Sequence, residues 1–210
     1  MTSDYQIVYA QYCSCEIVIF KNICFLATDM VYYIYKRGVF IYPDYYVMSP
    51  AGDRIPVTMR EAQKDDYEQT ASNGWQSNWN SSYMQQPQLK KYAMEATETH
   101  ELLGLCAFHD MLESVLLFVT YMESEPGSNP NITKHRAYSG IGAAMLAFAI
   151  QSSIDNGYGG TIALKAKTSE LREHYMRCYG AIPFSHYDPF LLLIDGEAAQ
   201  NLFVKYLKER

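Results

Sequence analysis

Apolar and polar residues alternate along this chain with two different periods. In the first quarter, aromatic and branched residues alternate between turns, as in EIVIF, MVYYIYK and VFIYPDYYV. Strands favour such residues, so we predict short strands there, with the many tyrosines packing on sheets. From residue 49 to about residue 89 the chain is polar. In that segment REAQKDDYEQ indicates a helix and NGWQSNWNSS a loop.

Three apolar runs joined by short polar turns follow residue 90. They are KYAMEATE, ELLGLCAF and SVLLFVTYMES, and they predict an antiparallel meander whose third strand covers about residues 115–124. With regular alternation, Val115, Leu117, Val119, Tyr121 and Glu123 share one face of that strand. A carboxylate at the end of an otherwise apolar face indicates that the sheet opens there.

The last part of the chain predicts helices and strands in turn. After the loop EPGSNPNITKHRAY, Leu146, Ile150 and Ile154 are spaced four residues apart, which predicts one face of a helix ending at DNGYGG. The next elements are a strand at TIALKAK, a helix at TSELREHYMRCYG capped by Thr168 or Ser169, a strand at PFLLLI and a helix at EAAQNLFVKYLKER. The predicted fold class is therefore α/β with a mixed sheet, not a fully wound parallel one.

Composition and charge exclude several classes of protein. The 210 residues are 49% hydrophobic and 19% charged, which is typical of a globular domain with an accessory segment. The net charge of −6 provides no basic surface for nucleic acid. Lys21 and Asp29 interrupt the longest apolar run, and the first residues lack the basic region of a signal peptide. We therefore expect a cytoplasmic protein that binds neither nucleic acid nor membrane.

The cysteines are scattered and odd in number. They are Cys13, Cys15, Cys24, Cys106 and Cys178. This set does not fit a disulfide framework. The segments CSC and CAFH contain metal-ligating residue types, but neither has the paired spacing of a structural zinc site. We expect free thiols and no metal.

The segment AYSGIGAAML places two glycines directly before a predicted helix. It differs from a dinucleotide fingerprint, because Met145 stands where a third small residue is required and no strand directly precedes it. It also differs from a nucleotide triphosphatase loop, because Ala143 and Ala144 follow Gly142 in place of Lys and Ser or Thr. What remains is a run of N–H groups at a helix N-terminus, which can bind an anion such as a pyrophosphate.

These segments resemble the GNAT superfamily of N-acetyltransferases. The family signature Gln/Arg-x-x-Gly-x-Gly/Ala is similar to AYSGIGAAML, with Gly140 and Gly142 in register. HELLGLCAF resembles the family's third strand, with Gly104 at its usual glycine, and ELREHYMRCYGA resembles the helix that carries the family's tyrosine. The similarity covers about residues 90–195. GWQSNW, at residues 74–79, is similar to a branch from bacterial and mobile-element genomes.

The resemblance implies a domain division and a co-substrate. It predicts a strand-rich extension at residues 1–55 and an acyl-CoA N-acyltransferase domain at 56–210. The implied reaction transfers an acetyl group from acetyl-CoA to a primary amine of a small-molecule or protein acceptor, by direct attack in a ternary complex. A homodimer is among the expected assemblies. The residues expected to contact the coenzyme are Met122, Arg136, Ala137, Tyr138, Ser139, Gly140, Ile141, Gly142 and Ala143.

Three side chains are candidates for proton transfer in that reaction. The attacking amine must lose a proton, and the departing thiolate must be protonated or stabilised. Glu123 is the predicted base, Glu125 the second candidate and Tyr175 the predicted acid. A simpler interpretation stands beside each role. The glutamates also fit a solvated strand end, and Tyr175 fits the core because it shares an apolar stripe with Leu171 and Cys178.

Two other classes of function remain open. A non-catalytic CoA-binding module keeps the glycine turn but lacks the acid and the base. An interaction protein uses the tyrosine-rich segment at residues 5–46 to bind a partner, with the α/β core as a scaffold. Binding of acetyl-CoA separates this last class from the other two, and thiol release in the presence of amines separates enzyme from module.

Overall fold

The computed structural model describes residues 43–71 and 74–207 in full, and elsewhere the backbone of strands at 17–20, 23–28, 31–36, 39–42 and 208–209. Within these residues the chain forms one sheet of five strands and one of eight. The predicted free thiols Cys13 and Cys15 lie outside the described residues.

The five-stranded sheet is antiparallel and joins the two ends of the described chain. Its strands are β1 (Ile17–Phe20), β2 (Ile23–Thr28), β3 (Val31–Lys36), β4 (Val39–Pro43) and β13 (Leu207–Glu209). The first four pair in sequence order, and β13 completes the sheet beside β4, where Leu207 is opposite Pro43. The predicted strands in the first quarter of the chain are confirmed.

The eight-stranded sheet contains the predicted meander. In spatial order its strands are β11 (Ile182–Pro183), β12 (Leu191–Ile194), β10 (Ile162–Lys165), β9 (Leu116–Ser124), β8 (Leu102–Met111), β7 (Lys90–Ala96), β6 (Arg54–Glu61) and β5 (Tyr46–Met48). Neighbouring strands are antiparallel except β9 and β10, which are parallel. The mixed sheet is therefore confirmed. β6 lies in the polar segment for which the sequence predicted no strand.

Four helices accompany the sheets in the described chain. They are α1 (Lys64–Thr70), α2 (Ile141–Asp155), α3 (Ser169–Tyr179) and α4 (Gly196–Phe203). The Thr168 hydroxyl accepts a hydrogen bond from the Leu171 N–H group at 3.2 Å, so the predicted cap of α3 is confirmed. The closing helix is shorter than predicted. After Phe203 a 3-10 turn leads into β13, where pairing with β4 satisfies the backbone groups of an extended chain.

The core lies on both faces of the eight-stranded sheet. The larger cluster surrounds α2, where Leu146 and Ile150 are buried against sheet residues such as Ile162. The smaller cluster, on the other face, is centred on Trp79. β8 and β9 are therefore covered on both sides. Within the described chain, no helix combines the length and the apolar character needed to cross a membrane.

Candidate active site

β9 contains a bulge at Thr120. On the neighbouring strand β8, Phe108 pairs with Val119 but Ala107 pairs with Tyr121, so Thr120 has no partner of its own in the ladder. The extra residue makes two consecutive side chains share a face and reverses the alternation of those that follow. The direction of every side chain after Thr120 depends on this bulge.

The regular alternation predicted for this strand is wrong beyond Val119. Leu117 and Val119 belong to the cluster around α2. Tyr121 instead packs against the cluster around Trp79, and the carboxylate of Glu123 accepts a hydrogen bond from the Trp79 indole. Glu123 and Leu117 therefore lie on opposite faces of the sheet, because the bulge adds one residue between them.

β9 and β10 pair at one end and separate at the other. Their parallel ladder joins residues 117–119 to residues 162–164 and stops there. Beyond Val119 and Leu164 a cleft of about 180 Å³ lies between the strands, with α2 and α3 contributing to its walls. The opening that the sequence predicted near the end of β9 is therefore present.

The cleft brings together several of the predicted site residues. Those that line it are Met122, Glu123, Gly142 and Tyr175. Glu125 does not line it, because its carboxylate accepts a hydrogen bond from the Gly127 N–H group at 2.5 Å and closes the turn after β9. The predicted base and the predicted acid therefore share a cavity, whereas the second candidate base lies outside it.

Both carboxylate oxygens of Glu123 accept hydrogen bonds from the segment between α1 and β7. The Gln76 N–H group donates to Oε1 at 2.5 Å, and the Trp79 indole N–H donates to Oε2 at 3.2 Å. Glu123 is 5% exposed and Trp79 is fully buried. The carboxylate therefore holds the segment GWQSNW beside the cleft, so that Gln76 forms part of its wall.

This arrangement predicts that Glu123→Gln lowers the stability of the protein. The new amide NH₂ group would face one of the two N–H donors, which would then lack an acceptor. Leaving a buried donor unpaired costs about 1–3 kcal/mol in the free energy of unfolding. Chemical denaturation measures this loss. Glu125→Gln is the matched control, and we expect it to cost less, because the Glu125 carboxylate accepts one N–H bond, which the amide oxygen of glutamine can also accept. Equal stability of Glu123→Gln and wild type would contradict the role of the carboxylate as a clamp.

Tyr175 reaches the cleft from α3. Burial, with a smaller contribution from Tyr179, raises the pKa of Tyr175 to about 12. The hydroxyl therefore keeps its proton throughout the neutral range. The Tyr175 carbonyl also accepts hydrogen bonds from the N–H groups of Gly180 and Ala181, which end the helix. The tyrosine is thus held by its backbone at a fixed helix end, with a protonated hydroxyl.

The N-terminus of α2 supplies backbone donors next to the cleft. Gly140 caps the helix with a φ of 90°, and both Gly140 and Gly142 are exposed. The first N–H groups of a helix have no acceptor within it, and they lie at the positive end of the helix dipole. A Cβ atom built on either glycine would meet no other atom within 4 Å, so the space beside this turn is open.

The residues directly before this turn use their N–H groups elsewhere. Three hydrogen bonds of 2.9 Å run from the N–H groups of Ala137, Tyr138 and Ser139 to Gly127 O, Ser128 Oγ and Met48 O, respectively. Of the N–H groups of residues 137–143, those of residues 140–143 therefore remain as donors to an anion. The N–H groups of residues 137–139 instead hold the loop that leads into α2.

Two cationic side chains, those of Lys134 and Arg136, precede the same turn. Lys134, His135 and Arg136 are exposed and line an open cavity of about 780 Å³ that also includes Ala137 and Ser139. Guanidinium and ammonium groups bind phosphate oxygens through charge-assisted hydrogen bonds. The N-terminus of α2 and the side chains of Lys134 and Arg136 are donors of the kind that bind phosphate groups.

Sequence reasoning missed a polar cluster in the cleft. The Tyr121 hydroxyl contacts Ser77 Oγ and accepts a hydrogen bond from Lys167 Nζ, which also lies 3.9 Å from the centre of the Tyr121 ring. Both Tyr121 and Lys167 line the cleft. The alternation in TIALKAK predicted a strand and gave no sign of this contact, which depends on the separation of β9 from β10.

Solved structures share the architecture of this chain. The match to the AtaT–AtaR complex bound to DNA covers 70% of this chain and 99% of that chain, with a TM-score of 0.51 and 16% identity. Nourseothricin acetyltransferase matches with a TM-score of 0.41 and 14% identity, covering 65% of this chain and 95% of its own. The aminoglycoside acetyltransferase AAC(6')-Ib in complex with coenzyme A and kanamycin matches with a TM-score of 0.44 and 13% identity, covering 69% of this chain and 98% of its own. By sequence, no family model and no curated protein matches.

The strand order, the parallel pair that opens into a cleft and the helix that starts at a glycine turn define a mixed α/β fold. The chain shares this GNAT-type fold with the AtaT–AtaR complex. The expectation that followed from AYSGIGAAML and its neighbouring segments is therefore confirmed at the level of the fold.

Proposed function

We propose that this protein is an N-acetyltransferase that uses acetyl-CoA as co-substrate. The observation that carries the proposal is the cleft between β9 and β10, which holds Glu123 and Tyr175 beside the N-terminus of α2. A thioester fits between the separated strands, where Met122 contributes to the wall. The pyrophosphate is then bound by the N–H groups of residues 140–143, with Arg136 and Lys134 beside it.

The two titratable side chains divide the proton transfers between them. Glu123 accepts a proton from the incoming ammonium group, directly or through water. Two of the roughly four lone-pair sites of a carboxylate are occupied here, so Glu123 can accept a further hydrogen bond. The amine then attacks the thioester carbonyl and forms the C–N bond, the C–S bond breaks, and Tyr175 gives its proton to the departing thiolate. The nitrogen loses its second proton, through water, to the tyrosinate, which restores Tyr175. A positioned proton-transfer group contributes about 10²- to 10⁴-fold in rate.

Thiol release from acetyl-CoA tests the enzymatic proposal. The assay compares no amine with a polyamine, an aminoglycoside and a lysine-containing peptide, which sample small-molecule and protein acceptors. We expect release that depends on one of these amines. If acetyl-CoA protects the protein against unfolding but no amine gives release, the protein is a CoA-binding module and the catalytic proposal is wrong.

A pair of variants separates the base from the clamp. Glu123→Gln removes the carboxylate, whereas Trp79→Phe removes one donor to it and leaves the carboxylate in place. We expect both variants to be less stable than wild type. We expect Glu123→Gln to lower kcat/KM by about 10²- to 10⁴-fold because it also removes the base, whereas Trp79→Phe keeps the base and most of the activity. If Glu123→Gln loses no more activity than Trp79→Phe, another group is the base.

A further inference from the structure

A second cavity lies at the other end of α2. Its volume is about 760 Å³, within the range of about 300–1,000 Å³ that is usual for ligand pockets. Aromatic rings form its walls around Phe148, whose ring centre lies 4.9 Å from that of Tyr92, 6.0 Å from that of Phe108 and 6.1 Å from that of Tyr45. Flat apolar groups pack favourably among rings at such distances.

This cavity and the cleft are different sites. On α2 the cleft is lined by Gly142 and Met145, whereas the cavity is lined by Phe148 and Gln151. A rise of 1.5 Å per residue puts Gln151 about 14 Å along the helix axis from Gly142. Among the residues that the structure describes, the cavity and the cleft share no lining residue.

The charged side chains of this cavity balance one another. In its described lining they are the cations Arg60 and Lys90 and the carboxylates Glu61 and Asp155. Each cation forms an ion pair with a carboxylate, at 2.7 Å for Arg60 and 2.9 Å for Lys90. Asp155 accepts a hydrogen bond from the Gln151 amide, and Glu61 is exposed. A charged ligand would lose its hydration without gaining a counter-charge, so the cavity favours a neutral molecule.

Two buried polar atoms at this cavity have no hydrogen-bond partner within the described part of the chain. They are the Oε1 atom of Gln151 and the hydroxyl of Tyr45. Gln151 is 4% exposed, and its amide NH₂ group already donates to Asp155 Oδ1 at 2.5 Å, which leaves Oε1 as an acceptor. Buried polar groups in folded proteins are nearly always paired. A bound molecule would supply the missing partners.

The Tyr45 hydroxyl is available as a donor. Burial raises the pKa of Tyr45 well above its ordinary value, and Asp155 and Tyr206 act in the same direction. The hydroxyl therefore keeps its proton and requires an acceptor, whereas Gln151 Oε1 requires a donor. Asp155 both contacts the Gln151 amide and acts on Tyr45, so the two unpaired atoms lie near the same carboxylate. A primary carboxamide carries an N–H donor and a carbonyl acceptor on one planar group.

We propose that this cavity binds a neutral aromatic carboxamide. The N–H group of the ligand donates to Gln151 Oε1, its carbonyl oxygen accepts a hydrogen bond from the Tyr45 hydroxyl, and its ring packs beside Phe148. This binding activity goes beyond the proposed acetyl transfer and does not depend on it, because the cavity is separate from the cleft.

Calorimetric titration with benzamide, in the absence of acetyl-CoA, tests the proposal. Two compounds of the same shape change the charge and remove one hydrogen bond each. Benzamidine is a cation that keeps a donor for Gln151 but has no acceptor for Tyr45, and benzoate is an anion that keeps the acceptor but has no donor. We expect saturable binding of benzamide and at least about tenfold weaker binding of both analogues.

A third compound, cyclohexanecarboxamide, keeps the amide and lacks the aromatic ring. We expect it to bind about three- to tenfold more weakly than benzamide, because it loses the packing among aromatic rings. Absence of saturable benzamide binding would overturn the proposal. Binding of benzamidine or benzoate as tight as that of benzamide would also overturn it, because the ligand would then not be selected as a neutral amide.

Variants identify the place of binding. Gln151→Leu removes the unpaired acceptor, and Tyr45→Phe removes the unpaired hydroxyl while keeping the ring. We expect each to weaken benzamide binding about tenfold or more. We expect Tyr45→Phe to keep the melting temperature of wild type, because the hydroxyl that it removes has no partner in the described chain, so the test does not depend on Gln151→Leu folding.

A control variant in the cleft completes the test. Tyr175→Phe removes a hydroxyl from the other site, and we expect it to bind benzamide as wild type does. In Tyr45→Phe the preference for benzamide over benzamidine should also decrease, because no acceptor is then required at that position. If Tyr45→Phe and Gln151→Leu bind benzamide as wild type does while Tyr175→Phe loses it, the amide binds in the cleft and the proposal is wrong.

Discussion

Acetyl-CoA is expected to protect the wild-type protein against unfolding, and Gly142→Asp is expected to abolish that protection. A ligand at 100 times its dissociation constant stabilises the folded state by about 2.7 kcal/mol. In our proposal the protection comes from N–H groups at residues 140–143 that bind the pyrophosphate. An aspartate at position 142 would place its negatively charged carboxylate beside the negatively charged phosphates and repel them. Unfolding curves with and without acetyl-CoA measure the difference.

Gly142 is well suited to this test because its surroundings leave room for a side chain. It is exposed, and a Cβ atom there meets no other atom within 4 Å. An acidic residue in the first turn also interacts favourably with the helix dipole, so the variant without ligand should fold as stably as wild type. Gly142→Ala adds the Cβ atom without the charge and should keep the protection. Protection that persists in Gly142→Asp would show that the phosphates bind elsewhere.

Tyr175→Phe is expected to lower turnover by about 10²- to 10⁴-fold with little change in melting temperature. The substitution keeps the ring and its packing, and it removes the proton that, in our proposal, the thiolate receives. The pKa of about 12 means that Tyr175 is protonated, and thus active as an acid, at every pH below that value. Loss of its proton should therefore produce no fall in rate within the usual assay range.

Tyr179→Phe is the matched control for Tyr175→Phe. Tyr179 lies on the same helix, and burial raises its pKa as well, with a contribution from Cys178. It does not line the cleft in the described chain, so its hydroxyl should be dispensable for turnover. Normal turnover together with reduced stability in Tyr175→Phe would show that Tyr175 contributes to packing in the core and not to catalysis.

Elements with a strong periodic pattern were predicted well from the sequence. The meander of β7, β8 and β9 and the helix α2 correspond to uninterrupted apolar periods, and α3 corresponds to a segment between the cap residue Thr168 and Gly180. β6 was missed for an identifiable reason: Pro56 and two arginines interrupt the pattern of RIPVTMRE. Proline disfavours strand interiors because it lacks an N–H donor. Here Pro56 still pairs with Tyr46 and accepts a hydrogen bond from Thr97, so tertiary pairing outweighs the local signal.

The site was predictable only in part. The glycine turn, Glu123 and Tyr175 could be proposed because each lies in a segment with a recognisable pattern. The bulge at Thr120 has no signature in composition, yet it decides which face Glu123 occupies. The hydrogen bonds from Gln76 and Trp79 to Glu123 span 47 and 44 residues, respectively. Such contacts follow from the three-dimensional arrangement, which alternation along one strand does not reveal.

The pairing of β13 with β4 affects the order in which the molecule can fold during synthesis. β4 leaves the ribosome early, but its partner at Leu207–Glu209 follows only after the whole eight-stranded sheet has been made. Until then one edge of β4 has no partner, and an unpaired edge strand can template incorrect pairing with other chains. Closing so long a loop costs conformational entropy and slows folding. The five-stranded sheet is therefore completed only after the eight-stranded sheet has been synthesised, and until then the edge of β4 is open to incorrect pairing.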